Sequence, residues 1–282
     1  MGLAAENKET VALMHERRPV PGSSDAECLR VMSLNVAHGR RLAAQQVFVR
    51  RRKFHANLCD VATVLRREAP HVVALQEADG PSFWSGRFHH VEHLAEQTGY
   101  EHHFWGEHHK RSLGKRRISI GTALLSQVPL GNPSSFAFER PGLRGRKGFV
   151  IATLPFAAAS AGVVDVVSVH LDFLRKAIRR RQIHEMAGEL AGRKNPLIVL
   201  GDLNCWWERR NDAVHLLGDM LGVRPCQPES EALATFPSLR PRLRLDWILV
   251  SRELDFSRYS VVADRVSDHL GVLAEIHAIP AA

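Results

Sequence analysis

The sequence predicts an α/β fold of layered sheets and helices, and three observations predict it. Short apolar runs recur along the chain, helix-length amphipathic segments separate several of them, and some runs follow one another with no helix between. The runs are LRVMSLNV at 29–36, HVVALQE at 71–77, ISIGTALLS at 118–126, GFVIATLPF at 148–156, VVDVVSVHL at 163–171, PLIVLGDLN at 196–204, LRLDWILVS at 243–251 and GVLAEIHA at 271–278. Their length and β-branched content read as strands. The amphipathic segments at 47–68, 91–99, 173–192 and 211–221 read as helices. Paired strands in mid-chain argue for layers rather than a pure βαβ repeat.

The chain of 282 residues, 45% hydrophobic, is large enough for a sizeable core and close to the upper size of one domain. Residues 1–27 lack sustained periodicity and carry PVPGSS at 19–24, so they are expected to be a flexible leader to a single domain at 28–282. No stretch approaches the roughly 20 apolar residues that span a bilayer. The first residues lack the basic head, apolar middle and small-residue cleavage site of a secretion signal. Glu6 stands where a myristoylation signal needs Ser or Thr. Cys28, Cys59, Cys205 and Cys226 are scattered without CxxC spacing, which fits reduced thiols in a cytoplasm better than a zinc knuckle or disulfide scaffold. Cys205 is read as small buried filler. A monomer is expected. The net charge of +8 points to an anionic partner without choosing among nucleic acid, phosphorylated metabolite and anionic membrane surface.

The chemistry is announced by polar residues where strands end. Asn35 closes MSLN, Glu77 closes VALQE, His170 closes VVSVH, Asp202 and Asn204 close IVLGDLN, Asp246 interrupts LRLDWILV, and Asp268 and His269 precede the last strand. Each alone has an ordinary reading as turn, cap or satisfied core polar. Ligands bind outside strand ends in layered α/β folds, so the set is expected to converge. Carboxylates and amide oxygens without cysteine suit a hard cation, Mg2+ or Mn2+, far better than zinc. Glu77 is the first candidate ligand.

LNV at 34–36, LQE at 75–77, GTALLS at 121–126, VHLD at 169–172, GDLN at 201–204, LDWILVS at 245–251 and SDHLGV at 267–272 together resemble the endonuclease/exonuclease/phosphatase (DNase I-like) superfamily. The resemblance implies a four-layer sandwich of two packed mixed β-sheets flanked by helices, with the site at one end. Carried over by position, it implies that Glu77 binds the metal with Asn35 and Asp268. Asp202 would orient or activate the attacking water, Asn204 would hold the phosphate and His170 would donate to a nonbridging oxygen. His269 would act as base or charge stabiliser, with Asp246 fixing its tautomer. Phosphodiester hydrolysis needs an in-line water, a cation and preplaced donors, and no GxSxG signature supplies a covalent nucleophile.

The substrate is less legible. NVAHGRR and VVSVHLDF depart from the apurinic-endonuclease pattern, and VLGDLN with LDWILV departs from the inositol-phosphatase pattern. HLD followed by LRKAIRRRQIHEM, with Arg179 and Gln182 in an Arg-x-x-Gln pattern, is closer to the sphingomyelinase-like and tyrosyl-phosphodiesterase-like branches. Arg144, Arg146 and Lys147 are candidate phosphate contacts. The basic runs 50–53, 109–117 and 175–181 read first as solvated faces. Phe83, Trp84, Trp206 and Trp207 are candidates for stacking on a substrate or for core packing, and the His89–His93 spacing would suit a second metal only with further ligands. The expected protein is a phosphoesterase using activated water, on a phosphodiester or phosphomonoester. The alternatives are a DNA/RNA nuclease and a non-catalytic phosphate-recognition module on the same fold.

Overall fold

In a computed structural model of the chain, the structure describes residues 28–114, 116–139, 145–207 and 212–280. The expected leader and Arg144 lie outside them. Twelve strands form two six-stranded sheets. The first sheet contains β1 (Cys28–Asn35), β2 (Val72–Asp79), β3 (His102–Leu113), β4 (Arg116–Ser126), β11 (Leu254–Val262) and β12 (Gly271–Ala278), in the order β11-β12-β1-β2-β4-β3. The second contains β5 (Gly131–Ala137), β6 (Gly148–Pro155), β7 (Val163–His170), β8 (Leu197–Asp202), β9 (Val223–Pro225) and β10 (Asp246–Ser251), in the order β5-β6-β7-β8-β10-β9. Both sheets are mixed: β1–β2 and β7–β8 pair in parallel and the other pairs are antiparallel.

Helices α1 (Arg51–Glu68) and α2 (His90–Thr98) cover the outer face of the first sheet, where Leu58, Val61, Leu65, Val91 and Leu94 pack on Met32, Leu34, Val73 and Leu75. Helices α3 (Lys176–Leu190) and α4 (Ala213–Leu221) cover the second, where Ile183, Met186, Val214 and Leu217 meet Val167, Val169, Val199 and Trp247. Between the sheets, Leu29, Val31, Val72, Ala74, Val164, Val166, Ile198, Leu200, Ile248 and Val250 make a third apolar layer. The result is the four-layer α/β sandwich that the sequence resemblance implied. Local signals set the helix ends: Gly99 (φ 77°) and Gly222 (φ 66°) close α2 and α4 in the left-handed conformation, and Asp212 accepts the His215 N–H at the start of α4. No helix among the described residues is long and apolar enough to cross a membrane.

The strands that the sequence pattern missed are β3, β5, β9 and β11, and all four are sheet edges. Central strands are buried on both faces by helices and by the opposite sheet, so they read as apolar runs. Edge strands meet solvent and resist further pairing through polar and charged residues, so HHFWGEHHKRSL and GNPSSFA carry no such run.

Alternation along the central strands carries the inner face from apolar to polar in one direction. On β1 it runs Leu29, Val31, Ser33, Asn35; on β7 Val164, Val166, Ser168, His170; on β8 Ile198, Leu200, Asp202. The inner-facing polar residues of the middle step join the sheets: Gln76 donates to Ser168 Oγ at 3.2 Å and Ser168 Oγ to Leu75 O at 3.3 Å. Gly201 of GDLN permits close strand contact, because a Cβ there would lie 1.9 Å from Val169 O. Replacing it, Gly201→Ala, is expected to destabilise the fold by about 3 kcal/mol through overpacking against backbone. Urea denaturation measures this, and wild-type stability in the variant would contradict the packing described.

Candidate active site

Register explains why the polar strand ends meet. In the second sheet His170 pairs with Asp202, and Asp202 with Asp246, so one transverse row carries three functional side chains on the inner face. From the first sheet, Asn35 Nδ2 donates to Asp202 Oδ2 at 3.0 Å while Asn35 Oδ1 accepts the Ala37 N–H at 2.9 Å. Glu77 would face the helices by simple alternation. A bulge between Leu75 and Ala78 adds one residue to β2, and Glu77 sits in it with φ 53°, a backbone region costly for a non-glycine residue. The bulge turns the carboxylate to the cleft.

The cleft holds about 350 Å3 and is lined by Asn35, Arg40, Glu77, His170, Phe173, Asp202, Asn204, Trp206, Phe236, Leu243, Leu245, Asp268 and His269. His269 Nδ1 lies 2.8 Å from Asp246 Oδ2, which also accepts from Thr235 Oγ1 at 2.6 Å. This fixes the ring and leaves Nε2 facing Asp202 Oδ2 at 3.8 Å. His170 Nε2 lies 3.5 Å from the same oxygen. Asn204, at φ 50°, gives its N–H to Asp202 Oδ1 (2.9 Å) and its amide to Leu171 O (3.0 Å). Lys147 Nζ lies 3.4 Å from Glu77 Oε1 and 3.1 and 3.0 Å from the two ring nitrogens of His170. Arg40 forms an ion pair with Asp268 at the rim.

Burial and charge divide the protonation states. Burial would lower the His269 pKa, but Asp246 and Asp202 outweigh it and raise it to about 10. Burial raises Asp202 to about 7, with Asp246 adding to the rise and His269 opposing it. His170 is pushed well below its ordinary value by burial and by Lys147, so it is neutral. Burial would raise Glu77, yet His38, Lys147 and His269 hold it far below the usual carboxylate range. The cleft thus presents a cationic imidazole, a neutral one, a firmly ionised carboxylate and a carboxylate poised near neutrality.

All eight residues read from the strand ends belong to this one site, with Lys147. Its neighbour Arg146 is exposed, whereas Lys147 is half-buried against Glu77 and His170. Arg179 and Gln182 act one step back: Gln182 Oε1 accepts the Asp172 N–H at 2.8 Å and Arg179 donates to Asp172 O at 3.1 Å, fixing the loop after His170. The aromatics divide as well. Trp206 is 46% exposed at the cleft wall, whereas Trp207 stacks on His215 and Trp84 donates to Asp79 at 2.9 Å. Cys205 is buried, and burial pushes its thiol up to about 12, as suits filler. His89 accepts the Glu92 N–H at the start of α2, and His93 lies beside Cys59 and packs on Phe88. Among the described residues these histidines form no three-ligand group.

The sequence reading missed His38, Arg40 and Asp79. His38 Nε2 lies 3.3 Å from Glu77 Oε2 and its Nδ1 lies 2.7 Å from Asp79 Oδ1. His38 and Arg40 stand three and five residues beyond Asn35 in AHGRR, in a loop without periodicity, and only their closeness to LNV signalled them.

Two groupings have the chemistry to hold a cation. Asp202, Asp246 and His269 offer ligand atoms all within 4.8 Å of one another, but two of the three are already joined as a carboxylate–imidazole pair. Glu77, Asn35 and Asp268 line the same cleft with oxygen donors only, which fits a hard divalent cation, and Glu77 is ionised there.

With this geometry in place, the fold is a four-layer α/β sandwich with an acidic, imidazole-bearing cleft at one end of its interior. The family model for the endonuclease/exonuclease/phosphatase family matches residues 32–269, and the chain belongs to that family. Solved structures with the same fold include an endonuclease/exonuclease/phosphatase from Beutenbergia cavernae (21% identity, TM-score 0.68, covering 89% of this chain and 72% of that one). A humanized D. rerio TDP2 is also similar (17% identity, TM-score 0.65, 90% and 100% covered). So is the human Nocturnin catalytic domain with bound sulfate anion (18% identity, TM-score 0.64, 90% and 95% covered). No curated protein matches the chain in sequence.

The carboxylate beside His269 sets its charge, so Asp246→Asn is expected to bring the ring's titration down from about 10. Histidine NMR titration reads this directly. An unchanged midpoint would place the source of the shift elsewhere.

Proposed function

We propose that the protein is a divalent-cation-dependent phosphodiesterase or phosphatase that uses water as nucleophile. The observation that carries this reading is the placement of Asp202, which faces both His170 and His269 across the floor of one cleft that also holds Glu77 and Asp268. Glu77, Asp268 and Asn35 would hold Mg2+ or Mn2+, and the bound cation would neutralise charge developing on the phosphoryl group. Asp202, poised near neutrality, accepts a proton from the attacking water. Asn204 holds the carboxylate of Asp202 through its backbone and would contact the phosphate. His170 and Lys147 face the nonbridging oxygens as donors. His269, cationic and fixed by Asp246, stabilises the negative charge of the transition state. The scattered cysteines, without CxxC spacing, favour a cytoplasmic setting.

A nuclease reading has its own support. Trp206 borders the cleft and also lines a groove of about 830 Å3, and the exposed Lys176 and Arg180 with Arg179 line a notch against the same indole. Stacking surface beside cations suits a single strand. That reading predicts binding to single-stranded nucleic acid that weakens steeply with salt, measurable by fluorescence anisotropy. Absence of binding at low salt would remove it.

Purified protein with Mg2+ or Mn2+, assayed against nucleic acids, lipid head-group diesters, inositol phosphates and a chromogenic phosphodiester, tests the principal reading. Turnover is expected to vanish with EDTA and to return with added cation. Asp202→Ala and His269→Ala are expected to remain folded and lose at least about a hundredfold in kcat, the scale of losing a general base or a charge-stabilising group. A folded variant with wild-type kcat would overturn the assignment.

A further inference from the structure

The loop after β1 and the bulge of β2 hold four non-glycine residues in the left-handed region: Ala37 (φ 47°), His38 (φ 53°), Arg41 (φ 57°) and Glu77 (φ 53°). Such backbone persists only where its surroundings over-determine it, and it gathers at functional sites. Here it brings a histidine and a carboxylate from separate segments face to face. His38 is nearly buried, and its ring lies between two acids, with Nε2 3.3 Å from Glu77 Oε2 and Nδ1 2.7 Å from Asp79 Oδ1.

Asp79 is itself immobilised. Its side chain is fully buried, its second oxygen accepts from Trp84 Nε1 at 2.9 Å, and its backbone N–H donates to His90 Nδ1 at 3.3 Å. His90 Nε2 in turn donates to Ser85 O at 2.9 Å. Hydrogen bonds therefore run from the backbone near Ser85 through His90 and Asp79 to His38, whose Nε2 closes on one oxygen of Glu77 at 3.3 Å. The end point is specific: His38 holds Oε2, whereas Oε1 faces Lys147 at 3.4 Å and His170 at 4.0 Å.

We propose that His38, clamped by Asp79, is a positioning residue that fixes the Glu77 carboxylate so that Oε1 alone is offered to the cation. The proposal rests on Glu77 as a cation ligand. Partners behind a ligand set its orientation, and their loss typically costs 10–100-fold in metal affinity. His38 touches neither substrate nor cation in this scheme. It acts through Glu77.

The test is Mn2+ affinity of the full chain by isothermal titration calorimetry, with thermal unfolding in EDTA as the measure of folding. His38→Leu is expected to bind Mn2+ about 10–100-fold more weakly while its unfolding temperature in EDTA stays within a few degrees of wild type. His38→Gln keeps an N–H donor near the Nε2 position and is expected to retain affinity within about threefold, a rescue that bulk packing would not produce. If His38→Leu does not fold, Asp79→Asn gives the same reading: side-chain size is kept and the clamp is weakened. Wild-type affinity in the folded variant, or equal loss in the Leu and Gln variants, would overturn the proposal. Glu77→Gln separates the two levels. Full Mn2+ affinity in that variant means that Glu77 is not the ligand, whereas lost affinity there with intact affinity in His38→Leu refutes only the positioning role.

Discussion

The hydrogen bond from Asn35 Nδ2 to Asp202 Oδ2 joins the two sheets where their inner faces turn polar, and the geometry of the cleft depends on it. The sandwich interior is apolar at one end, crosslinked by Gln76 and Ser168 in the middle, and acidic and imidazole-bearing at the other. Burying unpaired charge in such a place would be costly, so each group is held by a partner from another element. Asp202 takes Asn35 from one sheet and the Asn204 N–H from its own loop, Asp246 takes Thr235 and His269, and Glu77 takes His38 and Lys147. The cleft is the place where the sandwich interior opens, and its polarity is paired within the protein.

This arrangement explains what was legible in the sequence. LNV, VSVH and GDLN each show an apolar strand broken by a polar residue, because a strand buried on both faces has few other reasons for one. Transverse register then makes neighbouring strand ends meet, so His170, Asp202 and Asp246 could be grouped before any coordinate was known. The edges of the sheets were hidden for the opposite reason. HHFWGEHHKRSL has one solvated edge, and its polar residues look like loop.

Residues whose placement depends on backbone irregularity were legible by strand-end position and motif alone, as Glu77 of LQE was, or not at all. Alternation sends Glu77 to the wrong face, and only the bulge corrects it. His38 and Arg40 come from a loop whose left-handed turns have no periodic signature, and Asp79 reads as an ordinary strand end. The pair Arg146 and Lys147 shows the same limit from the other side. The segment RGRK at 144–147 names three candidates, and one residue step separates Lys147, against Glu77 and His170, from the exposed Arg146.

The edge strands have a further consequence, for divergence. Asn35, Glu77, His170, Asp202 and Asp246 all belong to inner strands, and none comes from β3, β5, β9 or β11. Substitutions, insertions and changes of charge along the borders can accumulate without moving the reacting groups. The chain thus keeps the residues of the cleft on strands whose neighbours are fixed on both sides, and leaves the borders free to vary without displacing them.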